Sequence, residues 1–139
     1  MKIHFSVAKL LAGLGLGFVV LTASAQALKV NLSGTQEVPA VTTKATGMGD
    51  FTVNDDGAIS GSVTTSNING TMAHIHEAAK GKNGPVIIKL EKTGDHVWSV
   101  PAGTKLTKEQ MESFKKGNLY ANVHSEAKKS GEIRGQLQP

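Results

Sequence analysis

Thr71-Met72-Ala73-His74-Ile75-His76-Glu77 is the stretch that decides how the rest of the chain is read. Ala73 and Ile75 alternate with His74 and His76. In an extended strand successive side chains point to opposite faces. The two apolar residues therefore face a core, and the two imidazoles share the other, outward face.

The same alternation extends outward from this strand. Upstream, Asn67-Ile68-Asn69-Gly70 is a turn, and Ala58–Ser66 is a strand with Ile59, Gly61 and Val63 inward. Asn54-Asp55-Asp56-Gly57 joins it to Ala45–Asn54 as a hairpin. In that second strand Gly47, Gly49, Phe51 and Val53 share a face. The turn lacks the ligand spacing of a calcium loop. Leu28–Ser33 is the first strand. Glu37–Val41 is an extended link, because Pro39 has no amide donor and turns Val38 away from helix.

Downstream, Glu77–Gly84 is a loop and Pro85–Glu91 a strand with Val86, Ile88 and Leu90 on one face. Gly81-Lys82-Asn83-Gly84 is too short to cradle a phosphate and opens a strand, not a helix. Thr93-Gly94-Asp95 turns the chain into His96–Val100. Thr107-Lys108-Glu109-Gln110 has the form of a capping box, with Leu106 and Met111 as its hydrophobic staple. Met111 and Phe114 give this short helix an apolar stripe, and Gly117 ends it. Strands at Leu119–His124 and Glu132–Leu137 close the chain. About eight strands and one short helix predict an all-β fold, an antiparallel Greek-key β-sandwich.

The 139 residues leave room for one ordinary domain. Lys2 and Lys9 precede an apolar run, Leu10–Leu21, and then Ala23-Ser24-Ala25 and Ala25-Gln26-Ala27. That order is a secretory signal peptide over residues 1–27, cleaved after Ala25 or Ala27. The apolar run falls short of the roughly 20 residues of a spanning helix. The mature domain is residues 28–139, exported to the periplasm or secreted, with no membrane span left after cleavage. Loss of Lys2 and Lys9 takes the 15 basic residues to 13 against 11 acids, so the net charge falls from +4 to +2. The remaining lysines form no basic stripe interleaved with aromatics, which argues against nucleic acid as a partner. The chain has no cysteine, so packing, sheet hydrogen bonds or a metal must hold it together.

Four segments resemble the CHRD (chordin-type) domain family, in the family's order. They are Leu32-Ser33-Gly34-Thr35-Gln36-Glu37-Val38-Pro39; Ala73-His74-Ile75-His76 with Gly81–Val86; Leu106-Thr107 with Gln110 and Gly117–His124; and Gly131-Glu132-Ile133-Arg134-Gly135-Gln136-Leu137. Ala40 departs from the second proline common in the family. The resemblance implies an exported single domain of the kind found in bacteria and repeated in chordin, an extracellular antagonist of signalling ligands. It implies no particular activity. The histidine pattern is also similar to that of copper/zinc superoxide dismutase, a β-sandwich in which an H-x-H strand and a late histidine hold copper. That resemblance implies His74, His76 and His124 as copper ligands and Arg134 as the arginine near the metal. The chain lacks the bridging histidine, the zinc-loop cluster and the disulfide pair of that enzyme.

Three readings of function stand in order. The first is a metal-binding module holding one copper or zinc ion on His74, His76 and His124, for neutral imidazole is the commonest ligand of such ions. It requires the two histidine strands to lie side by side. The second is a structural or protein-interaction sandwich with an extracytoplasmic protein partner, its histidines bonding locally. The third is a single-metal redox enzyme of dismutase type; enzymatic activity is the lesser expectation, and no catalytic residue is assigned. His96 reads as structural. Glu132 and Arg134, two apart on one strand face, read as an ion pair, with Glu37 a second candidate partner for Arg134.

Overall fold

Alternating apolar residues over short runs produce strands wherever one face can be buried, and here nearly every such run pairs. The computed structural model describes residues 17–20, 22 and 24–139. Of the expected signal peptide, residues 1–16, 21 and 23 lie outside the described residues. The strands are β1 (Ala25–Ser33), β2 (Thr46–Asn54), β3 (Ile59–Ser66), β4 (Gly70–Glu77), β5 (Val86–Lys89), β6 (Glu91–Gly94), β7 (Val97–Ser99), β8 (Leu119–Ser125) and β9 (Ile133–Leu137). All nine join one antiparallel sheet in the order β5-β4-β8-β9-β1-β2-β3-β7-β6. Among the described residues no helix is long and apolar enough to cross a membrane.

The two edge strands, β5 and β6, are separated in the chain by Leu90 alone. The sheet therefore curls until its edges nearly meet, and it resembles a barrel or a closed sandwich. This revises the expectation of a single strand over Pro85–Glu91. Val86–Lys89 pairs with β4 at one end of the sheet, and Glu91–Gly94 pairs with β7 at the other. The alternation misled because Ile88 and Leu90 are both buried, so the apolar rhythm runs through the corner unbroken.

The core fills the space inside the curl. Phe51, Val53, Ile59, Val63 and Trp98 come from one side, and Ala73, Ile75, Leu119, Ala121, Val123 and Ile133 from the other. Gly61 lets β3 approach β2 closely: at φ +127, a Cβ there would stand 2.0 Å from the Asp50 carbonyl oxygen. Helix α1 (Lys108–Lys115) forms as expected. Thr107 accepts from the Gln110 amide, the Gln110 side chain accepts from the Thr107 amide, and Met111 and Phe114 are buried. Ser113 Oγ donates to Glu77 at the end of β4 at 2.5 Å, so the helix closes the end of the sheet from which the Glu77–Gly84 loop departs.

Candidate metal centre

Strands β4 and β8 are direct neighbours, and their register decides what meets. Ala73 lies opposite Val123 and Ile75 opposite Ala121, all inward. On the other face Met72 lies opposite His124, His74 opposite Asn122, and His76 opposite Tyr120. Adjacent pairing thus gathers the three histidines named from the sequence. His74 Nδ1 is 3.0 Å from His124 Nε2, and one nitrogen from each ring falls within 4.8 Å of the others.

The histidines do face away from the apolar core, but that face is not open. His76 and His124 are only 8% and 7% exposed, and all seven residues of β8 are buried. Alternation tells which side of a sheet a residue takes and not whether that side meets water. The Ala78–Pro85 loop meets His76 through Gly84 and the loop after β8 meets His124 through Lys129, and side chains of β8 and β9 pin the first of these loops. Arg134 donates to Asn83 Oδ1 at 3.1 Å and to the Lys82 carbonyl at 2.5 Å. Gln136 donates to the Ala78 carbonyl at 2.9 Å, and the Tyr120 hydroxyl accepts from Gly84 N at 3.3 Å. Gly84 is required there, since a Cβ would stand 1.9 Å from the Glu77 carbonyl oxygen.

These loops also set the tautomers. His76 Nδ1 donates to the Gly84 carbonyl at 2.9 Å, and His124 Nδ1 donates to the Lys129 carbonyl at 2.8 Å. A carbonyl only accepts, so both Nδ1 atoms carry hydrogen and both Nε2 atoms of the neutral rings present lone pairs. The Nε2 of His124 takes the hydrogen of His74 Nδ1. The Nε2 of His76 lies 3.0 Å from Asn122 Oδ1, an acceptor to which only the protonated ring donates.

Burial favours the neutral form of His74 and His76. It is the largest cause pushing His74 down to about 4, with the charges of His124, His76 and Lys89 adding to it. Burial likewise lowers His76, against the opposing hydrogen bonds to Gly84 and Asn122. Neutral imidazole is the form that ligates a metal. In the metal-free protein the His74 ring is expected to titrate near 4, against 6.5 for an ordinary histidine, as read from its NMR ring resonances. Because the unfolded chain takes up this proton first, stability from His74 is present above pH 6.5 and is lost as pH falls through 4. A His74 resonance titrating above 6 contradicts the burial argument.

Behind the rings lies a second buried group. Arg134 is 1% exposed, and its guanidinium stacks on Tyr120 at 3.4 Å from the ring centre. Glu37 is 7% exposed with Oε1 unpartnered. Burial raises its carboxyl, and the Arg134 charge and the Asn122 amide pull only partly the other way. The expected Glu132–Arg134 pair does not form. Glu132 instead accepts from Thr43 at 2.6 Å and from Ser125 at 2.5 Å, because loop hydroxyls reach it while Arg134 is drawn over Tyr120. Nor does Glu37 come within ion-pair distance of Arg134 among the described residues. His96 is exposed in the β6–β7 turn, and its carbonyl accepts from Thr65 N at 2.8 Å.

Tyr120 and Asn122, which stand on the histidine face with His124, and the Gly84 and Lys129 carbonyls have no role assigned from the sequence. The shared parity of positions 120, 122 and 124 was the available signal for the first two. A backbone carbonyl in a loop carries no residue-type signal at all.

The donor set is three nitrogens, with no thiolate or carboxylate among them. Ligands at ~2.0–2.1 Å in a tetrahedral shell stand roughly 3.3 Å apart. The His74–His124 pair is already near that separation, and the His76 nitrogen lies within 4.8 Å of both. Two clefts of about 350 Å³ lie elsewhere, one lined by Asp55, Lys105 and Met111 and the other by Asn31, Met48 and Thr64. The sequence profile of the CHRD domain family matches residues 28–137. No curated protein and no solved structure matches the chain.

Proposed function

The chain belongs to the CHRD domain family, whose members occur in extracellular or secreted proteins, and from this premise we propose that it is an exported module that holds one copper or zinc ion on His74, His76 and His124. One observation carries the reading. Three ring nitrogens lie within 4.8 Å of each other, and two of the rings are oriented from behind by Nδ1 bonds to backbone carbonyls. Such outer bonds orient ligating histidines and raise their basicity. The lowered proton affinity of His74 and His76 and the absence of thiolates fit copper or zinc bound for carriage or exchange better than a structural zinc of the finger type.

A second reading has its own support. Both nitrogens of His76 face protein atoms, the Gly84 carbonyl and Asn122 Oδ1, so the cluster is also a polar network that seats the Ala78–Pro85 loop. On that reading the domain is a structural or interaction module for an extracytoplasmic protein. A single-metal redox enzyme of dismutase type stands third.

Titration of the purified domain with Cu(II) and with Zn(II) tests the order. One ion per chain at micromolar affinity or tighter is expected, with uptake lost in His74→Ala and His124→Ala. No uptake by the unmutated domain leaves the interaction module. If metal binds, a superoxide-dismutation assay separates carriage from redox catalysis.

A further inference from the structure

We propose that the remaining ligand position of the centre belongs to Met72, whose thioether makes the site selective for copper and favours Cu(I) over Zn(II). The inference rests on the three-histidine reading and adds to it a ligand and an oxidation state.

Met72 is two residues before His74 on β4, on the same face, and its Cα is the register partner of His124. Side chains directly opposite in an antiparallel pair have Cβ atoms ~4.5–5.5 Å apart. The methionine side chain is unbranched and rotatable, which brings its sulfur within reach of an ion held by His124. Its facing follows from the regular register that runs on through His74 and Asn122, and a bulge lies just before it. Gly70 pairs with Ser125 and Met72 with His124, leaving Thr71 as the extra residue of β4. In a regular strand positions 70 and 72 would share a face. Here a Cβ on Gly70 would point at Trp98 and Val123 in the core, whereas Met72 takes the histidine face. The bulge turns Gly70 to the core, while Met72 keeps the histidine face that its register with His124 gives it.

Exposure gives an independent reason. Met72 is 48% exposed, one of a few large apolar side chains in the folded domain left so open. Packing does not explain a methionine at this position. His76 and His124 are covered, so the ion is approached from the side of Met72 and of the half-buried His74.

The chemistry selects the ion. Three neutral imidazoles and a thioether form a donor set with no charge, which suits a monovalent soft cation. Thioether ligands favour Cu(I), and a nitrogen-rich site with a weak thioether is a copper geometry, while Zn(II) gains little from the sulfur.

The test uses the full mature domain and Met72→Leu, a swap of similar volume at an exposed position. Cu(I) affinity is measured anaerobically by competition with a chromophoric chelator, and Zn(II) affinity by the same method. Met72→Leu is expected to weaken Cu(I) by about tenfold or more and to leave Zn(II) within about twofold. X-ray absorption of the Cu(I)-loaded domain is expected to show a sulfur scatterer, lost in the variant. With no cysteine in the chain, that sulfur can only be methionine. Equal Cu(I) affinities with a nitrogen-only shell overturn the Met72 assignment and leave the three-histidine site standing. Failure of both proteins to take up either ion overturns both.

Discussion

Arg134→Leu is expected to cost the domain about 3 kcal/mol of stability, from the several kcal/mol typical when one member of a buried charged network is removed. Arg134 is 1% exposed and lies over the Tyr120 ring. Its two donors hold Asn83 and the Lys82 carbonyl. Leucine would be buried without the cost of desolvating a guanidinium, and that gain offsets part of the loss. It does not offset the loss of both anchors of the exposed Lys82-Asn83 segment, nor the removal of the one positive charge opposing the burial of Glu37. For a domain of this size the melting temperature should fall by more than about 10 °C. Arg134→Lys keeps the charge but loses the planar fork and the stack, so it should fall between the two. Hydrogen exchange should show the amides of residues 78–85 losing protection first. A fall of less than about 3 °C in the leucine variant would mean that the loop is held by other contacts.

Much of this fold is legible in the sequence because each long strand buries one face. Leu28, Val30 and Leu32, or Ala73 and Ile75, reveal both strand and facing, since polar neighbours alternate with them. The capping box at Thr107 is legible because capping depends on local residue types. The shared face of His74 and His76 is legible as well, by parity; that His124 joins them depends on β8 pairing with β4. What escapes is whatever depends on chain path. The corner at Leu90 is hidden because inward residues precede and follow it. The cover over His76 and His124 is hidden because a polar loop gives no sign of where it lies. Arg134 looked like the partner of Glu132, two residues away, because strand parity offers nothing nearer. Its contacts are instead with Asn83 and Lys82, more than 50 positions distant.

Loading the histidine site is expected to raise the unfolding free energy by about 4 kcal/mol when the free ion stands at a thousand times its dissociation constant. The size follows from linkage. His74 and His124 are 50 residues apart in the chain, so the unfolded protein does not assemble the site. His74 and His76 alone, as a flexible pair, bind weakly there and subtract little. Binding breaks the His74–His124 hydrogen bond and the His76–Asn122 contact, and those costs are contained in the measured affinity. The His74 Nδ1 hydrogen shifts to Nε2, so no net proton release is needed at pH 7 from a ring that titrates near 4. His124→Ala should abolish the stabilisation, because it removes one ligand and frees the Lys129 carbonyl. His96→Ala is the control: His96 is exposed in the β6–β7 turn, outside the cluster, so its loss should leave the shift intact. Differential scanning calorimetry with and without Cu(II) or Zn(II) reads all three proteins. A stabilisation that persists in His124→Ala and disappears in His96→Ala would place the ion on the turn and remove it from the β4–β8 face.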